Sequence, residues 1–250
     1  MIFYFTATGN CLYVAKQFDS DPISIAQEMK NETLHYEDET IGIVSPIYGG
    51  ELPKIVRRFL EKATFQTEYL YMILTYGMND SVAAEWAYYF GKSHKVNFDY
   101  IHTMRMVDNY TPVFDMNEQK AMDKQIPEQL KQLKDDIKNK VHDIQRPTKQ
   151  GKELYEMASR RPIEANNGSL ITIDTDKCIG CGMCSKVCPI GNFYVEDNKV
   201  KRHNSSCEFC LACVHACSKK AIFTPNEKNR ENRYINENIK LTEIIHSNQQ

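Results

Sequence analysis

Eight of the nine cysteines fall in two runs of identical spacing, Cys178-x2-Cys181-x2-Cys184-x3-Cys188 and Cys207-x2-Cys210-x2-Cys213-x3-Cys217. A 4Fe-4S cluster takes four thiolates. A tight C-x2-C-x2-C loop can wrap three of them round one cluster with its backbone amides pointing at the sulfurs, and the fourth must come from elsewhere. Zinc ribbons use two C-x2-C pairs and give no reason for a third cysteine, or for the whole arrangement to occur twice. Disulfides suit small secreted domains, whereas residues 1–165 here contain only Cys11. The chemistry this spacing supports is one-electron transfer by two iron-sulfur clusters.

The stretch resembles the two-cluster ferredoxin family. In that family the fourth cysteine of each run serves the other cluster. The resemblance therefore implies one cluster on Cys178, Cys181, Cys184 and Cys217, and a second on Cys207, Cys210, Cys213 and Cys188. Two departures stand out: Ser218 follows the last cysteine where Pro189 follows Cys188, and 18 residues separate Cys188 from Cys207. Neither removes a ligand.

The elements that must position these groups are bounded by composition. Two hundred and fifty residues, 42% of them hydrophobic, allow one large domain or two smaller ones with a substantial core. No apolar run approaches the ~20 residues of a membrane span. The start, MIFYFTATGN, is too short and too uncharged for a signal peptide, so a cytoplasmic location is expected. Residues 1–165 hold 20 Lys and Arg against 24 Asp and Glu, and residues 166–250 hold 11 against 9. Bound thiolates would turn the second part net negative. No basic stripe interleaved with aromatics points to nucleic acid.

Ile2-Phe3-Tyr4-Phe5 reads as a buried parallel strand, and Thr6-Ala7-Thr8-Gly9-Asn10-Cys11 leads from it into a helical pattern at Leu12, Val14, Ala15 and Phe18. A strand, a hydroxyl-rich turn and a helix start can seat an anion on unpaired backbone N–H groups. Such hydroxyl-rich turns are often simple helix caps, and the turn alone is a weak signal for a ligand. It is neither a Walker loop nor G-x-G-x-x-G. Ile41 to Ser45 and Tyr69 to Thr75 read as further strands. The first runs into the loop Pro46-Ile47-Tyr48-Gly49 and a helix carrying Ile55, Val56, Phe59 and Leu60. The second ends at Thr75-Tyr76-Gly77, before a helix through Val82, Trp86 and Phe90. Another strand is expected within Val96 to Met106. One long helical stripe runs through Met122, Ile126, Leu130, Leu133, Ile137, Val141 and Ile144, with Pro127 starting it afresh or kinking it.

This amino-terminal part resembles flavodoxin, whose first loop, [ST]-x-T-G-x-[ST], holds the FMN phosphate. Thr6, Thr8, Gly9 and Asn10 match, and Cys11 replaces the usual hydroxyl residue. The resemblance implies a five-stranded doubly wound parallel α/β sheet. It also implies that FMN is held by Thr6 to Cys11, with Pro46, Ile47, Tyr48 and Gly49 on one side of its ring and Thr75, Tyr76 and Gly77 on the other. The expected organisation is a flavodoxin-like domain over 1–145, a linker over 146–168, a small α+β ferredoxin domain over 169–225, and a surface-docked tail over 226–250 that frays at Ser247 to Gln250. The whole chain resembles fusions of these two domains, typical of anaerobes, which implies an electron-transfer protein working with a redox partner. A reductase acting through FMN on a small substrate, and a flavin-free ferredoxin carrying a flavodoxin-like docking domain, are the other two readings.

Overall fold

The computed structural model describes residues 1–145, 152–153, 155–157, 168–203 and 206–250. It divides into two units. The first comprises Met1–Phe5, Cys11–Met106 and Lys124–Glu164; the second comprises Thr6–Asn10, Val107–Asp123 and Ala165–Gln250. The stretch expected as a linker, 146–168, lies mostly outside the described residues.

The first unit is built on strands β1 (Ile2–Tyr4), β2 (Ile23–Ser24), β3 (His35–Glu37), β4 (Thr40–Pro46), β5 (Thr64–Gln66), β6 (Tyr69–Tyr76), β7 (Tyr100–Arg105) and β8 (Asp143–Ile144). Six of them form one sheet in the order β2-β1-β4-β6-β7-β8, with every neighbouring pair parallel, and β3 pairs with β5 beside it. With β3 and β5 set aside, the order is that of a doubly wound sheet, reversing between β1 and β4, with one strand added at the far edge. The central strands β4 and β6 are near-continuous apolar runs because both faces of a parallel sheet are covered. The helix Lys54–Lys62 buries Ile55, Val56, Phe59 and Leu60 as its spacing requires. The Phe59 ring packs 5.1 Å from that of Phe3.

Two expectations about the sheet and the helical stripe are corrected. The sheet has six strands, not five. The long stripe is not one helix: Met116–Ala121 and Ile126–Lys138 are separate helices, and Pro127 lies in the first turn of the second, where its missing N–H costs nothing. That helix stops at Asn139, Lys140 turns left-handed at φ 47, and the apolar residues beyond it extend into β8. Ile144 is thus a strand residue whose spacing happened to continue a helical series.

In the second unit, β9 (Thr172–Ile173) pairs antiparallel with β12 (Ile222–Phe223), and β10 (Phe193–Glu196) with β11 (Lys199–Arg202). The β10–β11 connection is Asp197-Asn198, both at positive φ, the geometry of a two-residue hairpin loop. Short helices Met183–Lys186 and Ala212–Ala216 follow the two cysteine loops. Ile171, Phe193, Val200, Leu211, Val214 and Ile222 form the core between them. The segment after residue 226 is not a fraying tail. It ends in a helix, Leu241–Asn248, in which Ser247 and Asn248 are buried.

Candidate metal centre

The two cysteine runs adopt the same backbone path. Gly180 and Phe209, each two residues past the first cysteine, have φ of 67 and 52°, and Gly182 and Leu211, each four past, have φ of 71 and 61°. These left-handed residues curl each loop so that its three cysteines face one space. Phe209 and Leu211 hold that conformation despite their side chains. A side chain at Gly180 would displace the hairpin turn, because a β-carbon there would lie 2.3 Å from the Asn198 carbonyl oxygen. Lys199 fastens the hairpin to the same loop, donating from Nζ to the carbonyls of Thr175 (2.7 Å) and Cys178 (2.8 Å).

Two cavities result. One is lined by Cys178, Cys181, Cys184 and Cys217 together with Ile179, Met183, Val200 and Ile222. The other is lined by Cys207, Cys210, Cys213 and Cys188 together with Ile171, Pro189, Phe193 and Leu211. Each therefore takes three cysteines from one run and the fourth from the other. Among the described residues no three His, Cys, Asp or Glu side chains gather closely enough to grip a single ion; the thiols ring wider spaces instead. Burial pushes the Cys184 thiol up to about 12, and pushes Cys188, Cys207, Cys210 and Cys213 up as well. Desolvated thiolates are unfavourable without cationic partners, and the irons of a cluster would supply them. Backbone N–H groups already point at sulfur: Asn192 N–H to Cys188 Sγ at 3.2 Å, Phe209 N–H to Cys207 Sγ at 3.3 Å and Ala221 N–H to Cys217 Sγ at 3.2 Å. The donor set, the apolar walls and these amides fit 4Fe-4S clusters. The sites differ in access, for Cys181 is exposed while all four cysteines of the second cavity are buried.

The loop expected to hold the FMN phosphate belongs to the second unit and is enclosed by it. Thr6 and Thr8 are 2% and 1% exposed. Thr6 Oγ1 accepts from Gly9 N–H at 3.1 Å, and Thr8 Oγ1 accepts from Asn109 Nδ2 at 3.0 Å. Asn10 donates from Nδ2 to the Val107 carbonyl (3.0 Å), while its Oδ1 accepts from Tyr234 Oη (2.6 Å) and Asn236 Nδ2 (3.1 Å). Asn236 N–H and Asn248 Nδ2 donate to the carbonyls of Thr8 and Thr6 at 2.8 and 2.9 Å. A β-carbon at Gly9 would lie 3.0 Å from that of Asn236. As arranged, the turn does not fit a bound phosphate, because its polar side chains have protein partners and the Asn236 to Ile239 stretch fills the space over it. Ala7 is buried with it. In the first unit, Cys11 is a buried thiol 3.1 Å from Thr75 Oγ1, its pKa pushed up to about 12 by desolvation. Tyr48 and Glu51 exchange backbone hydrogen bonds of 2.9 and 3.2 Å, closing the loop that follows Pro46 and Ile47, with Gly49 exposed at its tip. The phenol of Tyr76 is raised by burial and by Asp80, and the Gly77 carbonyl accepts from Arg105 Nε at 3.2 Å.

Sequence reasoning missed the hairpin, Lys199 and Asn192. Asp197-Asn198 between the apolar Phe193, Val195 and Val200 was a usable turn signal. Nothing in the sequence singles out Asn192.

Residues 170–218 match the family of 4Fe-4S dicluster domains. Ferredoxin-3 of Nostoc is 39% identical over 67 residues, which cover 19% of this chain and 69% of that one. An uncharacterized ferredoxin of Methanocaldococcus jannaschii is 30% identical over 80 residues, 29% of this chain and 50% of its own length; a second from the same organism is 39% identical over 64 residues, 24% and 35%. This chain thus spans half or less of these two archaeal relatives. The Trp repressor binding protein from Bacillus subtilis, 12% identical, covers 42% of this chain and 85% of its own at a TM-score of 0.29, too low to bear on the fold. A parallel α/β sheet and a dicluster domain define the class, an α/β protein with an iron-sulfur half. Through that half the chain belongs to the ferredoxin family.

Proposed function

We propose that this chain is an electron carrier that accepts and passes on single low-potential electrons through two 4Fe-4S clusters, exchanging them with a partner redox protein. The observation that carries the reading is the division of eight cysteines between two apolar cavities, each completed by a cysteine of the opposite run. A bound 4Fe-4S cluster supplies one-electron storage. The chain's own residues do the rest. Cys178, Cys181, Cys184 and Cys217 hold one cluster, and Cys207, Cys210, Cys213 and Cys188 hold the other. The amides of Asn192, Phe209 and Ala221 offset charge on sulfur, and the apolar walls keep water away. Because Cys181 is exposed, the first site is the one a partner reaches, and the enclosed second site is protected from solvent.

The flavodoxin resemblance would add FMN on Thr6 to Cys11. The turn does not fit a phosphate as it stands, so no step is routed through a flavin, and the flavin-free carrier is the form proposed. Anaerobic purification followed by acid denaturation tests this: about eight irons and eight sulfides per chain are expected, with no FMN. Zinc or cystine in place of iron would overturn the carrier reading. FMN released together with eight irons would leave the carrier standing and overturn only its flavin-free form.

A further inference from the structure

The two cluster loops carry an internal comparison. Asn192 and Ala221 each lie four residues past the crossing cysteine of their run, and each donates its backbone N–H to that cysteine's sulfur at 3.2 Å. At one position the side chain is a methyl group; at the other it is a primary amide. Asn192 is 2% exposed and lines the cavity of Cys188, Cys207, Cys210 and Cys213. Neither its Nδ2 nor its Oδ1 has a hydrogen-bond partner among the described residues. Its Nδ2 and Cys207 Sγ both come within 3.3 Å of the point where a β-carbon on Gly168 would stand. A buried amide without a partner is costly and calls for one. The cavity beside it is lined by four cysteine sulfurs, which as cluster-bound thiolates only accept, and by Glu208.

Resting on the cluster assignment above, we propose that Asn192 is a positioning residue that donates from Nδ2 to a sulfur of the cluster held by Cys188, Cys207, Cys210 and Cys213, setting its reduction potential above that of its partner cluster. The reduced cluster carries one more negative charge than the oxidised one, so a donor at its sulfur favours reduction. At the Ala221 position no side-chain donor exists, so the same effect is absent from the other cluster. The electron held by the pair therefore rests on the enclosed cluster, away from the exposed Cys181.

The test is an anaerobic redox titration of the holoprotein followed by electron paramagnetic resonance. Asn192→Ala is expected to lower one of the two potentials by about a tenfold change in equilibrium constant, ~59 mV for one electron, leaving the other unmoved and eight irons in place. Two unmoved potentials with eight irons retained would overturn the role of Asn192 while leaving the cluster assignment intact. A native protein without clusters would overturn that assignment instead. If the variant fails to assemble, native protein labelled with 15N only in asparagine side chains decides the matter: hyperfine coupling of 15N to a reduced cluster supports the contact, and its absence overturns it.

Discussion

Gly180 and Gly182 offer a measurement in which one glycine controls for the other. Both have positive φ, at 67 and 71°, so a β-carbon at either costs ~1–2 kcal/mol in backbone conformation. Their surroundings differ. At Gly182 the nearest atom to an added β-carbon is Val195 Cγ2 at 3.6 Å, an ordinary contact. At Gly180 it is the Asn198 carbonyl oxygen at 2.3 Å, followed by the Asn198 carbonyl carbon at 2.6 Å, so the hairpin turn would have to withdraw by more than 1 Å. That turn is held by the four residue pairs from Phe193↔Arg202 to Glu196↔Lys199 and by Lys199 on the Cys178 carbonyl. Overpacking against such a partner adds ~1–3 kcal/mol. Gly180→Ala is therefore expected to cost ~2–5 kcal/mol and Gly182→Ala ~1–2 kcal/mol. The loop they share carries three of the proposed ligands of one cluster, so the readout is iron release to a chelator under anaerobic conditions. Release should quicken about thirtyfold to a few thousandfold in Gly180→Ala and about fivefold to thirtyfold in Gly182→Ala. Equal rates in the two variants would refute the reasoning, since only backbone crowding separates them.

Replacing Cys178 and Cys217 together by alanine should leave about four irons per chain, because both serve one cavity; loss of nearly all iron would mean that each run ligates its own cluster. His215→Ala should destabilise the second unit by ~3–5 kcal/mol in urea unfolding. The buried ring, held neutral with its pKa down at about 4 by desolvation, donates from Nε2 to the Asn109 carbonyl at 2.8 Å and accepts from Tyr234 N–H at 3.1 Å. An effect below ~1 kcal/mol would show that those contacts are not part of the cooperative unit.

The cysteine spacing made the metal chemistry legible at once, because ligand number and loop length are written locally. The grouping of Cys217 with the first run and Cys188 with the second was not written in spacing; resemblance to ferredoxins implied it, and the two cavities are lined in the same grouping. The apolar runs of β4 and β6 and the stripe of Lys54–Lys62 were equally readable, since burial on both faces or on one leaves a periodic mark. Polar burial leaves none. The Asn-rich stretch after residue 226 looked like surface. Yet Asn236 and Asn248 are buried because their amides pair with carbonyls of residues 6–8, a match that no local pattern announces. The same pairing turned the hydroxyl-rich loop from a ligand seat into an interior turn. Of the two meanings that turn could have had, only its distant partners choose.

Asn248 reaches the Thr6 carbonyl from 242 positions further along the polypeptide. During synthesis residues 6–10 leave the ribosome long before anything that encloses them exists, and the strand just ahead of them can join a sheet while they stay open to water. Closing the iron-bearing half is therefore a late event with a long loop to fold over. A nascent chain stalled before residue 234 has Asn109 to offer Thr8 but lacks Tyr234, Asn236 and Asn248, so the turn is only partly covered.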